Sequence, residues 1–241
     1  MENNLIRYSV IADKNPREIV LLRGRGCRYR RCAFCDYHLD ASADEAANFA
    51  LNRDVLARVT GEHGRLEVIN SGSFCELDDR TMDEIERVCR ARGITQIHFE
   101  CHYLYRAAIP ALRARFATAG VTVKVKQGVE TFDHTLREDV LHKGIAPEDP
   151  AAIAKGFDEV CLLFGLTGQT VESMRRDVEI GLRHFERVCV NVMTENSTAV
   201  RPDGAVIRQF YAQVYPLLRE DPRVDVLLHN EDFGVGGCEH A

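Results

Sequence analysis

The stretch Gly24–His38, GRGCRYRRCAFCDYH, follows directly on the apolar run Glu18–Leu22, EIVLL, and the pair decides how the rest of the chain is read. EIVLL is short, partly β-branched and free of glycine and proline, the pattern of a buried strand. The loop behind it carries Cys27, Cys32 and Cys35 at C-x4-C-x2-C spacing. Three thiols presented by one short loop at a strand end form a candidate metal site, and parallel α/β folds place their chemistry at the C-terminal ends of strands. Four readings stay open on these residues alone. They are a closed zinc centre of Cys27, Cys32, Cys35 and His38, a plant-type [2Fe-2S] centre completed by a distant cysteine such as Cys75, packing of buried thiols, and a [4Fe-4S] cluster with three protein ligands and one open iron.

Outward from this loop, strand and helix patterns alternate. A strand at Leu5–Ile11 is expected to pair with Glu18–Leu22 across the Asn15-Pro16 turn, and further strands are expected at Leu66–Asn70, Thr95–Glu100, Val121–Lys126, Glu159–Phe164, Val188–Met193 and Val224–Leu228. Helices are expected at Asp44–Val59, from a Thr81/Glu84 capping box to Arg92, at about Leu104–Ala119 with an irregularity at Pro110, near His134–His142, at Val171–Phe185 and at Ala205–Leu218. Such alternation forces parallel neighbours and right-handed crossovers, so the fold class is α/β, either a doubly wound sheet or a complete or partial TIM-like barrel. With 241 residues and no linker or internal repeat, a single domain over 1–241 is expected, with a core at about 18–200 and an extension at about 201–241.

Composition narrows the class of function. No apolar run approaches the roughly 20 residues of a membrane span, and MENNLIRYSVIADKN lacks the layout of a secretory signal, so the expected compartment is the cytoplasm. The other six cysteines, Cys75, Cys89, Cys101, Cys161, Cys189 and Cys238, are scattered as reduced thiols are, not spaced as a disulfide framework. A net charge of −6 gives no overall attraction to nucleic acid, and the Arg23–Arg31 arginines read as local compensation for an anionic group.

The cysteine loop, with Phe34 immediately before the third cysteine, resembles the radical S-adenosylmethionine (radical SAM) superfamily, whose usual spacing, C-x3-C-x2-C, has one residue fewer. Three further stretches carry the resemblance in register: INSGSF at Ile69–Phe74, GVET at Gly128–Thr131 followed by Lys143-Gly144, and GLTGQT at Gly165–Thr170. The resemblance implies a partial TIM-like (β/α)6 barrel in which Cys27, Cys32 and Cys35 hold a [4Fe-4S] cluster and S-adenosylmethionine occupies the open iron. It implies that Phe34 packs near the adenine and that Ser71, Gly72 and Ser73 meet the methionine amine. Glu130 is then expected at the ribose hydroxyls, and Gly165, Leu166 and Gly168 support the adenine. One-electron cleavage of the sulfonium would yield a 5'-deoxyadenosyl radical that abstracts hydrogen from substrate, with an electron donor such as flavodoxin or ferredoxin.

SGSF with GVET is similar to the branch that contains archaeosine-synthase radical subunits and the queuine lyases of queuosine salvage. The expected substrate is therefore a small 7-deazapurine such as queuine, met by Glu100, His102, Lys124, Lys126, Glu231 and Asp232. A radical SAM subunit that modifies a tRNA base with a partner protein and a non-catalytic zinc-binding α/β module are the alternatives.

Overall fold

The structure, a computed structural model, describes residues 5–237. Cys238 lies outside the described residues. The chain divides into two compact units: Met1–Arg30, Tyr37–Val125 and Glu231–Ala241 form the first, and Arg31–Asp36 with Lys126–Asn230 form the second.

The first unit holds β1 (Tyr8–Ile11), β2 (Arg17–Leu22), α1 (Glu45–Leu56), β3 (Arg65–Asn70), α2 (Asp79–Arg92), β4 (Gln96–Glu100), α3 (Ile109–Ala117) and the start of β5 (Thr122–Glu130). β1 runs antiparallel to β2, and β2, β3 and β4 are parallel, with Glu18 level with Leu66 and Leu66 level with Ile97. Ile19, Val20, Leu22, Leu66, Val68 and Ile97 are buried completely, and each contributes about 1.5–3 kcal/mol over leaving it in water. Helix α2 lays Met82, Ile85, Val88 and Cys89 along its buried stripe.

One local expectation is corrected here. Asp78, not Thr81, caps α2: its carboxylate accepts from the Thr81 N–H at 2.9 Å and the Thr81 hydroxyl at 2.7 Å, while Glu84 pairs with Arg87. The helix expected at Leu104–Ala119 is a 3-10 stretch at Tyr103–Ala108 followed by α3, because Pro110 fits a first helical turn, where no N–H is needed, better than an interior.

The second unit continues β5 and adds α4 (Pro150–Ala154), β6 (Glu159–Phe164), α5 (Val171–His184), β7 (Arg187–Val192), α6 (Gly204–Gln209), α7 (Tyr215–Leu218) and β8 (Val224–Leu227). β5 through β8 are parallel and follow chain order. The helix expected near His134–His142 is present as helical backbone that begins at His134 and continues as a π-helical turn over Leu136–Val140. Buried Arg137, on this turn, donates to the carbonyls of Thr131, Ile145 and Pro147. The α/β class with parallel strands is the one the alternation implied.

Each unit closes the N-terminal ends of its strands with buried charge. Arg17 pairs with Glu67 in the first unit, and its guanidinium lies 4.8 Å over the Phe233 ring of the C-terminal segment. In the second, Lys126 is level with Glu159, Glu159 with Arg187, and Arg187 bonds Asp225 at 3.0 Å, an alternating row on one face of the sheet.

Candidate active site

In the first unit, α1 fixes where the cysteine loop leaves β2. Buried Asn52 accepts from the Arg23 N–H at 2.8 Å and donates to the Arg23 carbonyl at 2.9 Å, pairing with the backbone as a neighbouring strand would. Asn48 takes the Arg23 side chain at 2.8 Å. Beyond this anchor the loop meets Glu76, which ends the 3-10 turn behind Ser71-Gly72-Ser73 and is 7% exposed. Its carboxylate accepts from the Arg28 N–H at 2.5 Å, the Ser73 N–H at 2.6 Å and the Tyr105 hydroxyl at 3.1 Å, and its carbonyl accepts from the Arg25 N–H at 3.1 Å. Gly72 must lack a side chain, because a Cβ there would fall on Glu76 Oε2 and stand 3.1 Å from the Cys27 nitrogen.

Burial, reinforced by the Glu76 charge, pushes the Tyr105 hydroxyl up to about 12. Ser73 also accepts from the His102 N–H at 2.9 Å, and the His102 ring stacks on Tyr29 with centroids 4.4 Å apart. Gly72, Ser73, His102 and the Cys27 side of the loop thus meet in one polar cluster. Ser71 is buried beside them, and Glu100 is half-buried at the end of β4. Lys124 is half-buried in β5, and Glu231 and Asp232 are exposed where the C-terminal segment begins.

In the second unit the segment Arg31–Asp36 carries Cys32 and Cys35, both half-buried. Ala33 N–H donates to Leu141 at 3.0 Å, Asn196 donates to the Phe34 carbonyl at 2.7 Å, and Ser197 donates to Asp36 at 3.0 Å. Phe34 packs against the buried cluster of Leu141, Leu163, Leu166 and Met193, so two residues expected near an adenine share one apolar wall.

Glu130 sits at the end of β5 with φ of 70°, behind a bulge in the pairing with β6. Lys143 donates to its Oε1 at 2.7 Å and stands 5.4 Å from the Phe34 ring centroid. Burial favours the neutral amine of Lys143, but the charges of Glu130, Cys32 and Cys35 outweigh it and hold the ammonium above its ordinary range. A Cβ on Gly128 would stand 2.7 Å from Glu130 Oε1 and 3.0 Å from Lys143 Nζ, so this glycine makes room for the pair. Thr131, the last residue of GVET, donates to Asp177 on α5 at 2.7 Å.

Gln169 holds the following loop, accepting from the Leu166 N–H at 2.9 Å and donating to Leu163 at 2.9 Å. Gly165 and Gly168 take positive φ in this turn, and the Thr170 side chain caps α5 by accepting from the Ser173 N–H. Lys126 is level with Glu159, the first residue of β6, and so lies at the opposite end of that strand from Gly165.

Two features fit an iron–sulfur cluster with an amino-acid ligand. Cys27, Cys32 and Cys35 are half-buried, whereas Cys89, Cys101 and Cys189 are packed in the core, and burial pushes the Cys89 thiol up to about 12. Asn70 Oδ1, directly before Ser71, is buried without a hydrogen-bond donor among the described residues, an acceptor left for an incoming amine. Glu76, Lys143, Asn52, Gln169 and Asp177 were not in the expected site. Lys143 and Gln169 stood in stretches that carried the resemblance but had no role of their own, and Glu76 had a local signal in the S-x-x-E pattern that starts at Ser73.

A chain of parallel βα units with this cysteine loop behind its first parallel strand is a radical SAM enzyme. Its fold is shared with SuiB from Streptococcus suis, solved with S-adenosylmethionine (TM-score 0.55, 16% identity, 87% of this chain and 49% of that one) and with its precursor peptide SuiA (TM-score 0.54, 16% identity, 87% and 48%). A much nearer structure is the queuine lyase from Clostridium spiroforme bound to SAM and queuine, with TM-score 0.92 and 40% identity over 97% of this chain and 100% of that one. The chain belongs to the queuine lyase family. No family model and no curated protein matches the sequence.

Proposed function

We propose that this protein is a radical SAM lyase acting on a 7-deazapurine such as queuine, in the cytoplasm, as one functional domain over residues 1–241 and with flavodoxin or ferredoxin as electron donor. The observation that carries the reading is the full-length likeness to a queuine lyase bound to SAM and queuine. Cys27, Cys32 and Cys35 would hold the [4Fe-4S] cluster. When bound, the cluster and S-adenosylmethionine supply one-electron cleavage of a sulfonium and a hydrogen-abstracting radical.

The protein's own side chains bind and orient. Lys143 holds Oε1 of Glu130 and turns the carboxylate so that Oε2 accepts from ribose hydroxyls. Phe34 and Leu166 give the adenine an apolar wall that excludes water. The Ser71–Ser73 backbone and Asn70 Oδ1 accept from the methionine ammonium. Glu100, the last residue of β4, and His102, just beyond it, are the candidate readers of the deazapurine edge.

Anaerobic purification and reconstitution test the reading. The expected protein is brown, holds about four irons per chain, and with dithionite consumes S-adenosylmethionine and queuine together. Cys32→Ala abolishes both the cluster and the turnover. A colourless wild type with one zinc per chain, or one that cleaves S-adenosylmethionine but leaves queuine intact, defeats the proposal.

A further inference from the structure

We infer that Glu76 is a positioning residue that couples the cluster-bearing loop to the segment receiving the methionine end of S-adenosylmethionine. The inference rests on the radical SAM reading of Cys27 and Ser71–Ser73. Glu76 itself stands outside every motif that carries the family resemblance.

Its carboxylate is the shared acceptor of two otherwise separate loops. One oxygen takes the Arg28 N–H, the peptide directly after Cys27, and the Tyr105 hydroxyl; the other takes the Ser73 N–H. The Glu76 backbone repeats the link, its carbonyl accepting from Arg25 and its N–H donating to the Ser73 carbonyl at 2.8 Å. Asn70 Nδ2 bonds the same Ser73 carbonyl at 3.0 Å. The side chain of Ser73 is used as well, accepting from His102 N–H at 2.9 Å. Each end of the Ser73 peptide unit is therefore fixed, and Cys27 lies one residue from the opposite end of the clamp. Gly72 supplies the close approach, since a methyl group there would displace the carboxylate.

A carboxylate suits this position because it only accepts, and all three of its partners donate. A glutamine of equal size would turn an N–H toward one of those donors. One loop is then released while the fold and the three thiols remain. Hydrogen bonds to charged groups are the stronger kind, so the release is felt at the ligand.

The test compares wild type, Glu76→Gln and Tyr105→Phe, each reconstituted anaerobically. The readouts are iron content, hydrogen exchange at Arg28 and Ser73 in the cluster-loaded protein, affinity for S-adenosylmethionine, and the change that S-adenosylmethionine makes in the electron paramagnetic resonance spectrum of the reduced cluster. For Glu76→Gln we expect near-wild-type iron, faster exchange at Arg28 or Ser73, about tenfold weaker binding, and a diminished spectral change. Tyr105→Phe, which removes one of the carboxylate's three donors, should move the same readouts in the same direction by about two- to threefold.

Wild-type affinity and an unaltered spectral change in Glu76→Gln overturn the inference. Should Glu76→Gln fail to fold, Tyr105→Phe decides: wild-type affinity and exchange in that variant also overturn it. A wild type that takes up no cluster refutes the radical SAM reading instead.

Discussion

Replacing Lys143 with methionine removes the cation from a pair whose members are 8% and 6% exposed and whose atoms stand 2.7 Å apart. At an effective dielectric of about 20, two unit charges at that distance attract by roughly 6 kcal/mol. Much of that attraction offsets the removal of both ions from water, so the pair adds little net stability. Losing one partner is different. The Glu130 carboxylate stays buried without its counter-ion, a state that costs about 3–5 kcal/mol.

For a chain of this length each kcal/mol moves the melting temperature by about 2–4 °C, so Lys143→Met should melt roughly 6–20 °C below wild type. The double variant Lys143→Met/Glu130→Gln removes the stranded charge and should recover more than half of the loss. Thermal unfolding of the anaerobic proteins, followed by circular dichroism, measures both. A Lys143→Met melting point within about 2 °C of wild type, or a double variant less stable than the single one, refutes the argument that Glu130 depends on Lys143.

Two further predictions follow from the thiols and from Asp177. In metal-free protein, limiting iodoacetamide should modify Cys27, Cys32 and Cys35 ahead of Cys89, Cys101 and Cys189, which are buried, and cluster assembly should protect the first three; mass spectrometry showing equal labelling in loaded and unloaded protein would remove the ligand assignment. Burial raises the Asp177 carboxyl from 3.8 to about 6, against the bonds from Thr131 and Phe132 that lower it. The folded state therefore holds this proton more tightly than the unfolded one, and its contribution, on the order of 3 kcal/mol, is present below about pH 4 and lost as pH rises through about 6. Asp177→Asn should flatten that part of the pH–stability curve, and an unchanged slope in urea titrations between pH 4 and 6 would assign it elsewhere.

Much of the fold was legible in the chain. Strand ends could be read because β2, β3 and β6 are short apolar runs followed at once by polar and glycine residues, the signature of strands that are buried along their length and open to chemistry at one end. The helix boundary near Thr81 was misread because Asp78 competes locally for the same backbone groups, whereas the irregularity expected at Pro110 is the change from the Tyr103–Ala108 stretch to α3. Phe34 and Leu166, 132 positions apart, were both expected near the adenine, and both belong to one apolar cluster of the second unit.

The sequence by itself determined the class of chemistry. Thiol spacing in one loop and glycine at tight turns are local requirements, satisfied by residues a few positions apart. The partners that hold those groups were decided by tertiary structure alone: Glu76 for Arg28, Asn52 for Arg23, Lys143 for Glu130 and Asp177 for Thr131. Each is a single polar residue whose role depends on being brought, from 13 to 48 positions away, into a buried place where a lone donor or acceptor is costly. A carboxylate in a helix and a carboxylate in a clamp have the same letter. The loop Gly24–His38 presents three thiols as candidate ligands, and the folded chain supplies the hydrogen bonds that hold the loop in position.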